Sequence, residues 1–277
     1  MMDQEAYESR LAVLARIAEY EKNGYFDRDV EDDPPTVPLQ PGTVDYTKSK
    51  FSTKIATFVA NRVAYAYFER MIRRKQLIIS AVHGIEHVRE ADCGAMITCN
   101  HFHPFDNYAV FKAVERELPK RELYKIIREG NYTSFPGLYG YFFRHCNTLP
   151  LGSHFRVLGE LNAAVEALLA RGEKILIYPE QGMWWNYKKP RPLKEAAFRF
   201  AAKSMAPVIP MFITMEDSDQ LDEAGFPIQA LTVHILPLIR PDPRLSVREN
   251  CAAMRQENEK CWKETYEAVY GIPLSYS

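Results

Sequence analysis

Apolar runs alternate with helical segments along residues 76–269, and this alternation constrains the fold more than any other feature. Six runs are predicted to form strands, namely "LIISAVHGIEHV", "GAMITCN", "LYKIIRE", "EKILIYP", "PVIPMFI" and "ALTVHILPL". Helices are predicted at 107–118, 134–143, 156–170, 194–204 and 246–269. This order predicts an α/β fold, with a mixed, mostly parallel sheet flanked by helices. In such sheets the functional groups lie in loops beyond the strand ends.

The first 50 residues do not follow this alternation. Residues 4–22 carry apolar side chains at helical spacing and are followed by Gly24, which predicts a first amphipathic helix. The next stretch, "FDRDVEDDPPTVPLQPGTVDYTKSK", contains five acidic residues and then four prolines, so an extended linker or surface strap is predicted. We therefore expect a helical and Pro-rich N-terminal extension at 1–50 and a single domain at 51–277.

A long amphipathic helix is predicted at 51–75. Apolar residues recur along one of its faces, at Phe51, Ile55, Phe58, Val59, Val63, Tyr67 and Met71. Lys and Arg residues flank this face, and a basic, aromatic-rich helix of this kind can lie in a membrane interface. The same face can instead pack on the main domain, and the sequence leaves both alternatives open.

Charge and cysteine content argue against several classes of protein. Lys and Arg total 35 against 36 Asp and Glu, so the chain lacks the positive charge of a nucleic-acid binder. The five cysteines are scattered and include no Cys-x-x-Cys pair, which favours a reducing cytoplasm. No export signal is recognisable at the N-terminus, and no window has the roughly 18 apolar residues of a spanning helix. We expect a cytoplasmic protein that is peripheral if it contacts a membrane.

The segment "NHFHPFD" at 100–106 directly follows the predicted strand "AMITC" and includes the start of a helix that Pro104 is suited to open. His101 and Asp106 are therefore expected in a strand-to-helix loop. Histidine is the usual general base near neutral pH, and a carboxylate bonded to its other ring nitrogen fixes the tautomer. This pair suits the activation of a hydroxyl group.

The same loop can be interpreted as a metal site. His101, His103 and Asp106 would then be ligands, and the protein would be a metal-dependent hydrolase. Such a site needs further ligands, and the remaining histidines form no second cluster in the sequence. We therefore predict that no metal is bound and that His103 belongs to the turn or the pocket wall.

A second polar stretch follows the predicted strand "EKILIYP". Its candidate substrate-binding residues are Glu180, Gln181, Gly182, Trp184, Lys188, Lys189, Arg191 and Lys194. Glu180 is suited to bind a polar head group or to support the base, and the aromatic, basic loop is suited to an amphipathic or anionic substrate. The alternative is a solvated loop whose aromatic residues close the core. We favour substrate binding, because two adjacent tryptophans are costly to expose.

These stretches together resemble the glycerolipid acyltransferase superfamily, typified by 1-acylglycerol-3-phosphate acyltransferase. "NHFHPFD" is similar to its Asn-His-x4-Asp signature, and "YPEQG" at 178–182 is similar to its Phe-Pro-Glu-Gly-Thr-Arg block. "PVIPMFI" resembles a later block of the family, and "PLKEAAFRFAAKSMA" lies where the family has a Phe-Lys-x-Gly-Ala helix. The resemblance covers about residues 77–240.

The resemblance implies transfer of a fatty acyl group from a thioester donor, acyl-CoA or acyl-carrier protein, to a hydroxyl of a lysophospholipid or related lipid-like acceptor. It implies that His101 is the general base and that Asp106 orients and charge-stabilises it. Asn100 belongs to the same motif, shapes the turn and is a candidate substrate-binding residue. No covalent acyl-enzyme and no cofactor beyond the donor co-substrate are expected. A lipid acceptor also implies contact with a membrane surface, as in phospholipid biosynthesis.

Two blocks of the family pattern differ in this chain. Gln181, Gly182 and Met183 stand where the family has Gly-Thr-Arg, and Ser153 of "HCNTLPLGSHFR" stands where another block has arginine. Both arginines are expected phosphate anchors. Their potential replacements are Arg144, Arg156, Lys188, Lys189, Arg191 and Lys194. An acceptor other than lysophosphatidic acid and a non-catalytic lipid-binding relative both stay open.

Overall fold

The computed structural model of the chain describes residues 3–118, 120 and 122–276. The helices are α1 Gln4–Lys22, α2 Phe51–Arg73, α3 Ile85–Arg89, α4 Asp106–Val114, α5 Glu129–Thr133, α6 Gly137–His145, α7 Phe155–Ala170, α8 Ala196–Lys203 and α9 Val247–Tyr270. The strands are β1 Ile78–His83, β2 Ala95–Thr98, β3 Tyr124–Arg128, β4 Thr148–Leu151, β5 Lys174–Ile177, β6 Val208–Leu221 and β7 Pro227–Ile235.

The described strands form one sheet in the order β1-β7-β6-β2-β5-β3-β4. From β6 to β4 the neighbouring strands are parallel, whereas β7 is antiparallel to β6, and β1 is parallel to β7. This mixed, mostly parallel sheet flanked by helices confirms the predicted fold class. Because β2 and β5 are parallel neighbours, the loops that follow them open at the same edge of the sheet.

Each face of the sheet is covered by its own apolar layer. Helices α7, α8 and α9 cover one face, and α2, α4 and α6 cover the other. Strands β2 and β5 are buried at every position, as expected for central strands covered on both faces. The core therefore fixes the ends of these two strands, from which the polar loops begin.

Some predicted elements differ in the structure. The run "LIISAVHGIEHV" is not one strand, because Gly84 adopts a φ of +78° and separates β1 from α3. A Cβ on Gly84 would collide with the carbonyl oxygen of Ile235, so this turn needs glycine. Strand β4 and helix α5 were not predicted, because "TLPL" and "EGNYT" are too short for a periodic pattern. Strand β6 extends past "PVIPMFI" because it forms a long hairpin with β7.

The N-terminal extension packs against the rest of the chain. Val13 and Ile17 of α1 share a buried cluster with Val30, Trp184 and Trp185. Further along, two contacts tie the Pro-rich stretch to α5 and to β4. The Leu39 N–H donates to Glu129 over 2.6 Å, and the Tyr46 hydroxyl donates to the Pro150 carbonyl over 2.9 Å. The division of the chain at residue 50 stays a prediction.

Candidate active site

His101 and Asp106 form a hydrogen-bonded pair in the loop between β2 and α4. Nδ1 of His101 lies 2.7 Å from Oδ2 of Asp106. Asp106 is the first residue of α4, and β2 ends three residues before His101. The loop thus folds back so that a helix-start carboxylate meets the imidazole, as the strand-to-helix interpretation predicted.

Asp106 is fully buried and receives hydrogen bonds on both carboxylate oxygens. The backbone N–H groups of Phe102 and His103 donate to Oδ2 over 3.1 and 3.3 Å. The hydroxyl of Tyr178 donates to Oδ1 over 2.6 Å. Burial, followed by the nearby Asp106 charge, raises the pKa of Tyr178 well above its usual range, so that hydroxyl stays protonated and can donate. These donors satisfy the buried carboxylate and fix its direction.

Tyr178 also holds the imidazole of His101 in place. The two rings stack with centroids 4.0 Å apart and an interplanar angle of 18°. The side chain of His101 stays 23% exposed, whereas that of Asp106 has no exposed area. Because Nδ1 is engaged by Asp106, Nε2 is the ring nitrogen left to accept a proton from another molecule.

Glu180 lies beneath this loop rather than in the open site. Its carboxylate accepts from the His101 N–H over 3.1 Å and from the Arg191 N–H over 2.9 Å. The Arg191 guanidinium pairs with it at 3.2 Å, and both side chains are almost fully buried. Both predicted uses of Glu180, support of the base and contact with a head group, stay predictions.

Two other predicted substrate-binding residues are also buried. Both ends of the Asn100 side-chain amide bond the backbone of Ile213, with N–O distances of 3.0 and 2.8 Å. This joins the end of β2 to β6. Trp184 is buried against Phe26 and donates its indole N–H to the Arg28 carbonyl over 3.1 Å. Its backbone N–H also donates to His101. The structure thus places both side chains in the interior, and substrate contact by either stays a prediction.

The remaining predicted residues lie nearer the surface, apart from Gly182. Lys188 and Lys194 are exposed, and Lys189 pairs with Glu21 of α1. Gln181 is exposed and adopts a φ of +65° at the position where the family has glycine. Gly182 is buried next to Arg128 and Asp29.

The other two candidate phosphate anchors, Arg144 and Arg156, make contacts outside the loop that follows β5. Arg144 donates to the Phe135 carbonyl over 3.3 Å, and the Arg156 guanidinium lies over the ring of Phe155. Neither contact involves the residues that surround His101.

His103 is held differently from His101. Its Nδ1 accepts the N–H of Phe105 over 3.2 Å. Burial lowers the pKa of His103 to about 4, against the opposing effect of Asp106, so the ring is neutral near pH 7. Within the described ranges, no group of three or more His, Cys, Asp or Glu side chains is arranged to hold a metal ion. The metal interpretation of this loop therefore gains no support from its geometry.

Sequence reasoning missed three residues around this site. Tyr178 could have been found, since it directly precedes Pro179 and Glu180 at the end of a predicted strand. Arg128 ends β3, which neighbours β5, so its position follows only once the strand order is known. Asp29 comes from the N-terminal extension, and nothing in its local sequence indicates that it meets Arg128.

The sheet thus carries a hydrogen-bonded histidine–aspartate pair, with the aspartate buried, in the loop after a central strand. Residues 79–214 match the family described as Acyltransferase, which supports the predicted resemblance to the glycerolipid acyltransferase superfamily. Among solved structures, the chain is similar to the 1-acyl-sn-glycerophosphate (LPA) acyltransferase PlsC from Thermotoga maritima. The two share 16% identity and a TM-score of 0.54 over 83% of this chain and 87% of that one, a likeness of fold. The comparison with curated proteins found no match.

Proposed function

We propose that this protein is an O-acyltransferase that moves a fatty acyl group from a thioester donor to a hydroxyl of a lysophospholipid or related lipid-like acceptor. The donor is acyl-CoA or acyl-carrier protein. The observation that carries the proposal is the 2.7 Å contact between His101 and a buried, fully hydrogen-bonded Asp106 within the family's signature motif.

In the proposed mechanism, Nε2 of His101 takes the proton of the acceptor hydroxyl while the oxygen attacks the thioester carbonyl. Asp106 stabilises the imidazolium that forms. The tetrahedral intermediate collapses with cleavage of the carbon–sulfur bond, and the imidazolium returns the proton to the departing thiolate. The products are an ester and a free thiol, with no covalent acyl-enzyme.

The oxyanion of this intermediate needs hydrogen-bond donors other than the first N–H groups of the loop. The N–H of His101 is bound to Glu180, and those of Phe102 and His103 are bound to Asp106. In the proposal these three groups position the base, and other polar groups of the pocket stabilise the oxyanion.

A membrane contact is proposed for α2. Phe51 and Phe58 are 78% and 60% exposed, and Ile55, Val59 and Val63 on the same helix are also exposed. The other end of the predicted apolar stripe packs inward, since Met71 is buried with Ala60 and Phe68. In the proposal, the N-terminal half of α2 contacts the membrane and the C-terminal half packs on the main domain. An exposed aromatic and aliphatic face of this size is suited to the lipid interface.

Peripheral attachment is the form of membrane contact that we propose, on the cytoplasmic side. No helix in the part of the chain that the structure describes is long and apolar enough to span a bilayer. Helix α6 extends the exposed apolar area of α2, because Leu138 and Tyr139 are exposed and the Tyr67 and Tyr139 hydroxyls lie 3.0 Å apart.

Thiol release tests the proposed function. Purified protein is incubated with acyl-CoA or acyl-carrier protein and a panel of lysophospholipids, glycolipids and simple alcohols, and free thiol is followed with time. We expect turnover with at least one acceptor in the wild type and loss of turnover in His101→Ala, with a thermal unfolding midpoint close to that of the wild type. Vesicle binding without thioester consumption by any acceptor would instead support a non-catalytic lipid-binding protein.

A further inference from the structure

An arginine from a neighbouring strand stands beside the block that departs from the family pattern. Arg128 ends β3, and its Nε–H donates to the Gln181 carbonyl over 3.0 Å. A Cβ added to Gly182 would lie 3.4 Å from Nη2 of Arg128. The guanidinium therefore lies next to the residues that replace Gly-Thr-Arg, although it comes from a different part of the chain.

The paired donors of this guanidinium are already occupied. Nη1 and Nη2 of Arg128 donate to the two oxygens of Asp29 over 2.8 and 2.5 Å, and Asp33 lies 3.6 Å from Nη1. A bidentate carboxylate uses the same two N–H groups with which arginine binds a phosphate. In this arrangement Asp29 stands where a phosphate group would bind Arg128.

The segment that carries Asp29 is firmly attached. We call residues 26–33 the acidic segment. Val30 is fully buried, and Trp184 and Arg191 donate to the carbonyls of Arg28 and Phe26, both over 3.1 Å. From α1, Arg10 pairs with Glu31 at 2.7 Å and Arg16 pairs with Asp32 at 3.4 Å. These contacts hold the carboxylates at the site as part of the fold.

A cleft of about 420 Å³ opens beside this pair. Its lining includes Asp29, Asp32, Asp33, Thr36, Arg128 and Asn131. Burial raises the pKa of Asp33, and the charge of Arg128 opposes this effect. Gln181, whose carbonyl binds Arg128, directly follows Glu180, whose carboxylate binds the His101 N–H. The cleft is therefore connected to the proposed base through this loop, and its lining carboxylates outnumber its lining arginine.

We infer that the acidic segment selects acceptors with no phosphate monoester beside the reacting hydroxyl. Asp29 occupies the paired N–H donors of Arg128, and the negative charge of Asp33 would repel a phosphate group. This inference rests on the proposed function and names its acceptor class, a lipid with a neutral hydroxyl-bearing head group. Hydroxyls of such a head group can donate to the carboxylates, whereas a phosphate would have to displace one of them.

The first test uses two acceptors that differ only in the phosphate, monoacylglycerol and lysophosphatidic acid with the same acyl chain. In the wild type we expect kcat/KM for monoacylglycerol to exceed that for lysophosphatidic acid by about tenfold or more, a discrimination that one like-charge contact can supply. In Asp29→Asn/Asp33→Asn this ratio should fall by a similar factor. In the double variant, kcat/KM for lysophosphatidic acid should rise, and adding Arg128→Gln should reverse that rise.

A matched control removes two charges elsewhere, in Asp219→Asn/Glu264→Gln, which alters exposed residues of β6 and α9. This control should keep the wild-type ratio. Thermal unfolding checks the fold of each variant, and Asp33→Asn alone is the milder substitution, because Asp33 makes only the longer contact. A wild type that prefers lysophosphatidic acid, or a ratio unchanged in the Asp29 and Asp33 variants, would overturn the inference.

A second measurement separates this inference from the proposed function. Binding of glycerol 3-phosphate is measured by titration calorimetry, which requires no acyl transfer. We expect binding in Asp29→Asn/Asp33→Asn, weaker or no binding in the wild type, and loss of the gained binding on addition of Arg128→Gln. If no acceptor supports thiol release but this pattern appears, the proposed function fails while the occupancy of Arg128 by Asp29 stands. Equal binding to all three proteins would contradict that occupancy.

Discussion

Nδ1 of His101 and Oδ2 of Asp106 lie 2.7 Å apart, and the carboxylate is completely enclosed by protein. Further donors from Phe102, His103 and Tyr178 fill its other hydrogen-bonding positions. The direction of the carboxylate is therefore set before any substrate arrives. A base oriented in this way loses little free energy to rearrangement during the reaction.

Replacing Asp106 with Asn should reduce activity more than stability. The amide removes the negative charge that stabilises the imidazolium and allows the other tautomer of His101, so we expect kcat to fall by about 10³-fold or more. Single-turnover thiol release measures the chemical step, and circular dichroism checks the fold. Asp219→Asn, on the exposed part of β6, is the control and should behave as the wild type. Comparable activity in both variants would rule out this role of Asp106.

Replacing Glu180 with Gln should damage both the fold and the site. It leaves the buried Arg191 guanidinium without its charged partner, which is expected to cost about 3–5 kcal/mol of the free energy of unfolding. It also weakens the contact that fixes the His101 N–H, so kcat should fall as well. Urea denaturation and thiol release measure the two effects. Glu257→Gln, which breaks the exposed pair with Lys260, should change neither, and an equally small effect of Glu180→Gln would refute this positioning role.

Charged substitutions on the exposed face of α2 should weaken membrane binding. In Phe51→Glu/Phe58→Glu, loss of two apolar side chains from the interface should reduce partitioning onto phosphatidylcholine and phosphatidylglycerol vesicles by about tenfold or more. Vesicle sedimentation measures this partitioning. Leu221→Glu, at the exposed end of β6, is the matched control for an apolar-to-acidic change outside α2. Unaltered sedimentation of the double variant would contradict the proposed contact.

Stability should depend on pH through His103. Its pKa is about 4 in the folded protein, below its ordinary value of 6.5, because burial disfavours the charged ring. Between these values the unfolded chain binds the extra proton, so the contribution of the neutral ring is complete above pH 6.5 and declines as the pH falls toward 4. The slope from one group is at most about 1.4 kcal/mol per pH unit. Urea denaturation at pH 7 and pH 5 should show a smaller difference for His103→Asn than for the wild type, and equal differences would assign the effect to other groups.

Much of the fold could be predicted because it depends on local patterns. The apolar runs at β2 and β5 are buried at every position, and the helices at 156–170 and 246–269 were predicted to within one residue of α7 and α9. The break at Gly84 could not be inferred from periodicity, since it depends on the close approach of the Ile235 carbonyl. Strand β4 was missed because four residues around Pro150 carry too little pattern.

The sequence by itself determined the α/β class and the position of His101 and Asp106 in one short loop, because both follow from spacing along the chain. Only the tertiary structure decided which residues surround that pair. Tyr178 and Glu180 reach it because β5 lies beside β2, and Asp29 reaches Arg128 because α1 and two buried tryptophans anchor the extension. Contacts between distant segments depend on how the whole core packs, and no local pattern of residues encodes them.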